Sequence, residues 1–358
     1  MDLLADIAVT IVAQLQKPTL AFLIGGMMLA ALGSRLDVPE QVYKFVVLVL
    51  LLKVGLSAGI SVREANFIDL LVPAILAALL GIAIVFIGAR TLARRKGVQR
   101  LDGMATAGLF GAVSASTLAA GMAMLDAEGV TYEGYIGALY PFMDVAALVT
   151  AIILARTQAA RATAMSVTAS GEATLTLGGG GRGGSGASDT AENDVLKSIL
   201  VDTLRSPAIS ALLLGLALGV LTRPESVFES FYEPLFRGLL SILMLVIGME
   251  AWARLSELRT VATSYVLYGI AAPLLHGLLG FGAGFAAHYL TGFSAGGAVL
   301  LAVMASSSSD ISGPPTMRAA LPEANPSAYV GTSTGLGTPV AILSIPLWMW
   351  LADIVIGL

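Results

Sequence analysis

A carboxylate set among hydroxyls interrupts one of the most apolar stretches of this chain. Gly297-Ala-Val-Leu-Leu-Ala-Val-Met-Ala305 runs into Ser306-Ser-Ser-Ser-Asp-Ile-Ser-Gly-Pro-Pro315, and apolar sequence resumes beyond it. Hydrocarbon tolerates unwound backbone, hydroxyls and a carboxylate only where they line a protein cavity, so the interruption reads as a solute-binding site inside a membrane. Ser312 or Gly313 can cap a helix that starts there, and proline suits a first helical position because its missing N–H has no intrahelical partner to lose. A second interruption, Gly108-Leu-Phe-Gly-Ala-Val-Ser-Ala-Ser-Thr117, places two glycines ahead of Ser114, a capping candidate before Leu118–Leu125.

Each helix start carries unpaired N–H groups and about half a positive charge, so two starts facing one another bind an anion. Asp310, the hydroxyls of Ser306–Ser309 and the freed carbonyls form a hard-oxygen cage of the kind that holds Na⁺. An anion site beside a cation site points to symport. Small residues also serve tight helix packing in membranes. That account fits the first interruption as well as a binding site does; it fits the second less well, because a buried carboxylate needs a compensating partner. Asp102 and Asp144 flank the first interruption. Asp144, in Leu139-Tyr-Pro-Phe-Met-Asp144, either supports the cation site or caps backbone at the Pro141 kink. Lys53 and Glu250 occupy similar depths and read as an ion pair or gate residues. His276, after Pro273, is expected to make an ordinary interhelical hydrogen bond, and His288 lies near a helix end.

The elements that position these residues follow from hydropathy. Ten apolar segments, near 15–35, 39–60, 66–92, 101–125, 134–157, 206–222, 235–254, 260–290, 294–321 and 327–356, meet the length criterion for a membrane crossing. Between the fifth and sixth lies 159–198, with Gly178-Gly-Gly-Gly-Arg-Gly-Gly184, read as a flexible cytoplasmic linker. The chain thus divides into a first five-helix repeat, 1–158, and a second, 199–358. Lys17-Pro-Thr-Leu-Ala-Phe-Leu-Ile-Gly25 resembles Ser206-Pro-Ala-Ile-Ser-Ala-Leu-Leu-Leu-Gly215, Lys44-to-Gly55 parallels Arg237-to-Gly248, and Tyr135-Ile-Gly137 parallels Tyr329-Val-Gly331. An odd number of spans per repeat makes the halves an inverted pair. Arg35, Arg90, Arg94, Arg95, Lys96, Arg100, Arg156, Arg161, Arg182, Lys197, Arg205, Arg254, Arg259 and Arg318 all fall on one side of this arrangement, which is therefore expected to be cytoplasmic, with both termini extracytoplasmic. The expected fold is an all-α membrane protein of ten transmembrane segments, a 5+5 inverted repeat whose two broken helices cross at the midplane.

Composition agrees and excludes other classes. The 358 residues are 56% hydrophobic and 12% charged, against roughly 25% charged in soluble domains. No cysteine and only two histidines leave no thiolate chemistry and no all-protein zinc site. No acid–base pair or nucleophile constellation suggests an enzyme, no cofactor is implied beyond Na⁺ as coupling ion, and no basic stripe suggests nucleic acid. The start, Met1-Asp-Leu-Leu-Ala-Asp6, lacks the cationic region of a cleaved signal peptide, so the first helix is expected to be retained.

Several long motifs resemble the SbtA family, the sodium-dependent bicarbonate transporters of cyanobacteria. They are Pro18-Thr-Leu-Ala-Phe-Leu-Ile-Gly-Gly26, Gly108-Leu-Phe-Gly-Ala-Val-Ser114, Gly137-Ala-Leu-Tyr-Pro-Phe-Met-Asp144, Phe231-Tyr-Glu-Pro-Leu-Phe-Arg-Gly-Leu-Leu-Ser-Ile-Leu-Met244 and Ser306-Ser-Ser-Ser-Asp-Ile-Ser-Gly-Pro-Pro-Thr316. The resemblance implies Na⁺/HCO₃⁻ symport across the plasma membrane for CO₂ concentration, by an elevator motion. It also implies a homotrimer, with spans 1, 2, 6 and 7 as gate, spans 3–5 and 8–10 as core, and the small PII-like regulator SbtB docking on the cytoplasmic face. Carried onto this chain, it places bicarbonate at Phe110, Gly111, Ala112, Ser114, Ile311, Ser312 and Gly313. Sodium falls at Asp310, Ser308 and Ser309, with Asp102 and Asp144 as further candidates. Two other functions remain open on the residues alone: a cation/proton antiporter using Asp144 and Asp310 as proton carriers, and a membrane docking platform for a soluble nucleotide-sensing partner.

Overall fold

The computed structural model describes residues 18–64, 67–169, 207–258 and 263–358, with the isolated positions 16, 201 and 205. Every regular element among them is helical, as a bilayer demands of backbone that must satisfy its own hydrogen bonds. The first half comprises α1 (Pro18–Ala31), α2 (Glu40–Glu64), α3 (Phe67–Arg90), α4 (Arg100–Gly111), α5 (Ala115–Glu128) and α6 (Tyr140–Ala169). The second half comprises α7 (Pro207–Leu221), α8 (Glu233–Leu258), α9 (Thr263–Thr291), α10 (Ala295–Ser306), α11 (Gly313–Ala320), α12 (Pro326–Val330), α13 (Thr338–Leu343) and α14 (Ile345–Val355). A π-helical stretch, Gly331–Gly337, joins α12 to α13.

Among the described residues, seven helical stretches are long and apolar enough to cross a membrane, and three shorter apolar helices, Pro18–Ala31, Ile209–Leu221 and Ala295–Ser306, accompany them. Large side chains such as Leu32, Phe45, Leu79, Leu278 and Trp350 are exposed on the outside, as lipid contact requires. Within the stretch Arg100–Glu128, residues 102–125 are by contrast all buried inside the protein. The segment expected to be a linker, 159–198, overlaps α6, which continues to Ala169; its remainder lies outside the described residues.

Two helix pairs approach backbone to backbone through glycine. A Cβ at Gly215 would meet Leu52 O at 2.7 Å, and Gly26, Gly55 and Gly248 sit tighter still against the carbonyls of Leu245, Leu212 and Leu23. Only small residues permit such contact, and in lipid this van der Waals packing is what holds helices together. Gly26→Ala is therefore expected to lower thermal stability in detergent by about 1–3 kcal/mol through overpacking. Gly25→Ala, whose added methyl meets nothing within 4 Å, should leave the melting temperature unchanged.

Two carboxylates of the first half clasp helix starts of the second. Glu133 accepts from Ser294 N at 2.6 Å and from Ser294 Oγ at 2.9 Å, at the head of α10. Asp102 accepts from Asn325 N at 2.8 Å, at the head of α12. Each takes up an orphan donor and complements the positive helix end. Lys53 lies 3.9 Å from Glu233 with its ammonium 4.4 Å from the centre of the Phe236 ring, so Glu233 takes the place expected of Glu250. Arg63 bonds Glu225 and the carbonyls of Gly219 and Thr222, tying α2 to the turn after α7.

Candidate functional site

Both interruptions leave the helix through one extended residue. Ala112 (φ −86°, ψ 165°) ends α4 and Ser307 (φ −72°, ψ 171°) ends α10. The two unwound strands then touch. Ser309 N donates to Leu109 O at 2.8 Å, and Ser114 N donates to Ser307 Oγ at 2.9 Å. Asp144 spans both: Oδ1 accepts from Val113 N at 3.1 Å and Oδ2 accepts from Ser312 Oγ at 3.1 Å. The hydroxyls of Tyr140 and Ser312 stand 3.3 Å apart, which fixes Asp144's own helix against the second interruption.

Local sequence explains each restart. Ser114 caps α5, its Oγ accepting from Thr117 N at 3.1 Å and from Thr117 Oγ1 at 3.0 Å. At α11 the expected cap is displaced. Ser312 holds the N-cap position without a side-chain cap bond, and Ser309 Oγ accepts from Gly313 N at 2.9 Å instead. Ser312 is committed elsewhere, to Asp144 and, at 3.0 Å, to Ser309 Oγ. Pro314 and Pro315 contribute no N–H to the first turn of α11, so its positive end is poorer in donors than that of α5.

These bonds consume many of the amides at the two tips. Ala112 N, Val113 N, Ser114 N, Ser309 N and Gly313 N all have partners within the chain. The amides for which no partner is described include those of Ala115 and Ser116 in the first turn of α5 and of Ser308, Ile311 and Ser312 before α11. Ala115 and Ser116, with Ala119, line a narrow cleft of about 10 Å³, room for about one water, whose other walls are Val47, Leu50, Leu51 and Val54 of α2 and Leu243 of α8.

Asp310 sits beside them. Ser116 Oγ donates to Asp310 Oδ2 at 2.9 Å, while Asp310 Oδ1 is buried without a hydrogen-bond partner. An orphaned carboxylate oxygen among hydroxyls is the donor set a hard monovalent cation prefers. Ser308 Oγ donates to Ser333 O at 3.2 Å, and Ser333 Oγ bonds Ser308 Oγ at 3.0 Å and Ser309 O at 3.2 Å. The π-helical Gly331–Gly337 thus brings a third element to the second interruption, a placement common for π-turns at functional sites.

The structure therefore gathers Phe110, Gly111, Ala112, Ser114, Ser308, Ser309, Asp310, Ile311, Ser312, Gly313 and Asp144 around one junction. Asp102 is the exception: it heads α4 at the end far from the interruption, with its carboxylate engaged by Asn325. His276 is a second correction, since it has no hydrogen-bond partner on either ring nitrogen where an interhelical bond was expected. Ser116, Ser333 and Tyr140 were not singled out from sequence. Ser333 carried a signal, because Gly331-Thr-Ser-Thr-Gly-Leu-Gly337 is a small, polar run within an apolar span.

Interrupted apolar helices whose unwound backbone is buried in protein and meets at a carboxylate are features of multi-pass membrane proteins, and discontinuous helices of this kind are common in transporters. The chain belongs to the Na⁺-dependent bicarbonate transporter superfamily, whose profile matches residues 18–353. No curated protein matches it as a relative.

Proposed function

We propose that this protein carries bicarbonate inward across the plasma membrane with Na⁺ as coupling ion. One observation supports this most: two interruptions from opposite halves meet with unfilled amides on one side and an unpartnered carboxylate oxygen of Asp310 on the other. The anion sits at the Ala115, Ser116, Ile311 and Ser312 amides, on the side of the narrow cleft between α2, α5 and α8, which must widen to admit it. The interruption residues Phe110, Gly111, Ala112, Ser114 and Gly313 shape this seat. Na⁺ takes Asp310 Oδ1 with oxygens of Ser308 and Ser309. Asp144 acts as the clasp joining the interruptions, and Asp102 belongs to the α12 start instead. A singly charged flat anion needs only a few amide donors, and Na⁺ beside it offsets the repulsion of Asp310.

The halves form an inverted repeat of ten spans. The glycine contacts support this, because they map onto one another under the sequence correspondences. Gly26 faces Leu245 O as Gly215 faces Leu52 O, and Gly248 faces Leu23 O as Gly55 faces Leu212 O. The rigid set α1, α2, α7 and α8 is the gate, against which the core carrying both interruptions slides as an elevator. The Arg- and Lys-bearing loops face the cytoplasm, and both termini lie outside. Resemblance alone supports a homotrimer regulated by SbtB.

Uptake of labelled bicarbonate into proteoliposomes tests this. It should require an inward Na⁺ gradient that K⁺ cannot replace. A pH dye responding to Na⁺ without bicarbonate would favour cation/proton antiport instead. Ser116→Ala, which removes a hydrogen bond to a charged group, should raise the half-saturating Na⁺ by about tenfold, the equivalent of roughly 1.4 kcal/mol.

A further inference from the structure

Several buried polar atoms without hydrogen-bond partners lie behind the first interruption. The rings of Phe110, Tyr268 and His276 form an edge-to-face triad, with centroids 5.1 Å apart for Phe110–Tyr268, 6.3 Å for Phe110–His276 and 6.2 Å for Tyr268–His276. Both nitrogens of fully buried His276 and the hydroxyl of Tyr268 lack partners. The Phe110 ring also rests on Gly337, where a Cβ would meet its Cζ at 2.7 Å, and the next residue, Thr338, has a buried Oγ1 without a partner. Pro273 lies inside α9 and offers no N–H, so the carbonyl of Gly269 loses its helical donor on the buried face that also carries His276. Leaving such groups dry costs on the order of 1–3 kcal/mol each. A buried water satisfies two to four of them at once, and a polar site of this kind is where internal water resides.

We propose that His276 is a positioning residue for the anion site: with Tyr268 and Thr338 it lines a water-holding pocket behind Phe110, and this pocket fixes the Phe110 ring and the backbone of the first interruption. Phe110 is the hinge of the idea because its ring packs on the pocket while its backbone enters the turn that leads, through Gly111 and Ala112, to the Ala115 and Ser116 amides. Water bridges the Gly269 carbonyl and the imidazole, holding the ring against Phe110. The affinity part of this inference rests on the transport reading; the hydration part does not.

His276→Phe keeps the aromatic packing and removes both nitrogens, and His276→Gln restores a hydrogen-bonding terminus. In proteoliposomes His276→Phe should raise the half-saturating bicarbonate by roughly tenfold, the loss of one water-mediated bond, with the maximal rate within about twofold. His276→Gln should recover most of the affinity, and Thr338→Val should shift affinity in the same direction as His276→Phe. An unchanged half-saturation in a normally inserted His276→Phe protein would overturn the proposal. A cryo-EM map of the wild-type protein supplies the check that needs no variant: water density within hydrogen-bond reach of the His276 ring is expected, and a dry pocket would overturn it. Wild-type protein that moves no bicarbonate would instead remove the transport reading and leave the pocket standing.

Discussion

Asp144→Ala is expected to abolish Na⁺-dependent bicarbonate uptake, by at least about a hundredfold, and to lower the melting temperature of the purified protein. The carboxylate is the bridge between the halves, accepting from Val113 N in the first interruption and Ser312 Oγ in the second. Alanine leaves Val113 N buried and unpaired at about 1–3 kcal/mol and strips Ser312 Oγ of its charged acceptor, a loss that counts against a typical stability of about 5–15 kcal/mol. Asp144→Asn should behave differently. Its amide oxygen still accepts from Val113 N, and its NH₂ can donate to the Ser312 hydroxyl, so the junction is kept and transport should stay within roughly tenfold of wild type. Thermal unfolding and initial uptake rates, measured on the same preparations, separate these outcomes. If Asp144→Asn proved as dead as Asp144→Ala while folding normally, Asp144 would be an ion ligand and the clasp role would fail.

Asp310→Asn should give the opposite pattern, with fold kept and coupling lost. The amide oxygen still accepts from Ser116 Oγ, so the turn has no reason to unfold. What disappears is a formal charge beside the proposed Na⁺. A pair of unit charges 4 Å apart is worth about 4 kcal/mol at an effective dielectric of 20, partly offset by desolvation. The half-saturating Na⁺ should therefore rise by at least about a hundredfold, while the melting temperature stays near wild type. Uptake measured across a wide Na⁺ range, with ionic strength held constant by choline, reads the shift. Unaltered Na⁺ dependence in Asp310→Asn would move the cation away from Asp310.

Much of this architecture was legible from residue types. Apolar lengths located the helices, and the two polar interruptions located the junction, because hydroxyls and a carboxylate in an apolar span need a protein cavity to be tolerated. Ser114 was readable as a cap from its place just before an apolar helix. The second cap was not, since four consecutive serines offer several candidates and only the tertiary partner Asp144 draws Ser312 away from Gly313 N. The separation of Asp102 from the junction was readable from helix length: nine residues of helix before Gly111 place it about 13 Å along the axis. Ser116 and Ser333 escaped notice because their roles come from contacts across the chain, Ser116 to Asp310 and Ser333 to Ser308. The missing partner of His276 was beyond sequence reasoning altogether, since a histidine on an apolar face gives no sign of what faces it.

Coupling through adjacent sites has one thermodynamic signature, reciprocity: if Na⁺ tightens bicarbonate binding by some factor, bicarbonate must tighten Na⁺ binding by the same factor. Equilibrium binding of labelled bicarbonate at several Na⁺ concentrations, paired with labelled Na⁺ binding at several bicarbonate concentrations, measures both. An anion at the amide tips beside a cation at Asp310 requires equal factors of at least about tenfold, falling toward one in Asp310→Asn. Bicarbonate binding that is indifferent to Na⁺ in the wild-type protein would contradict it.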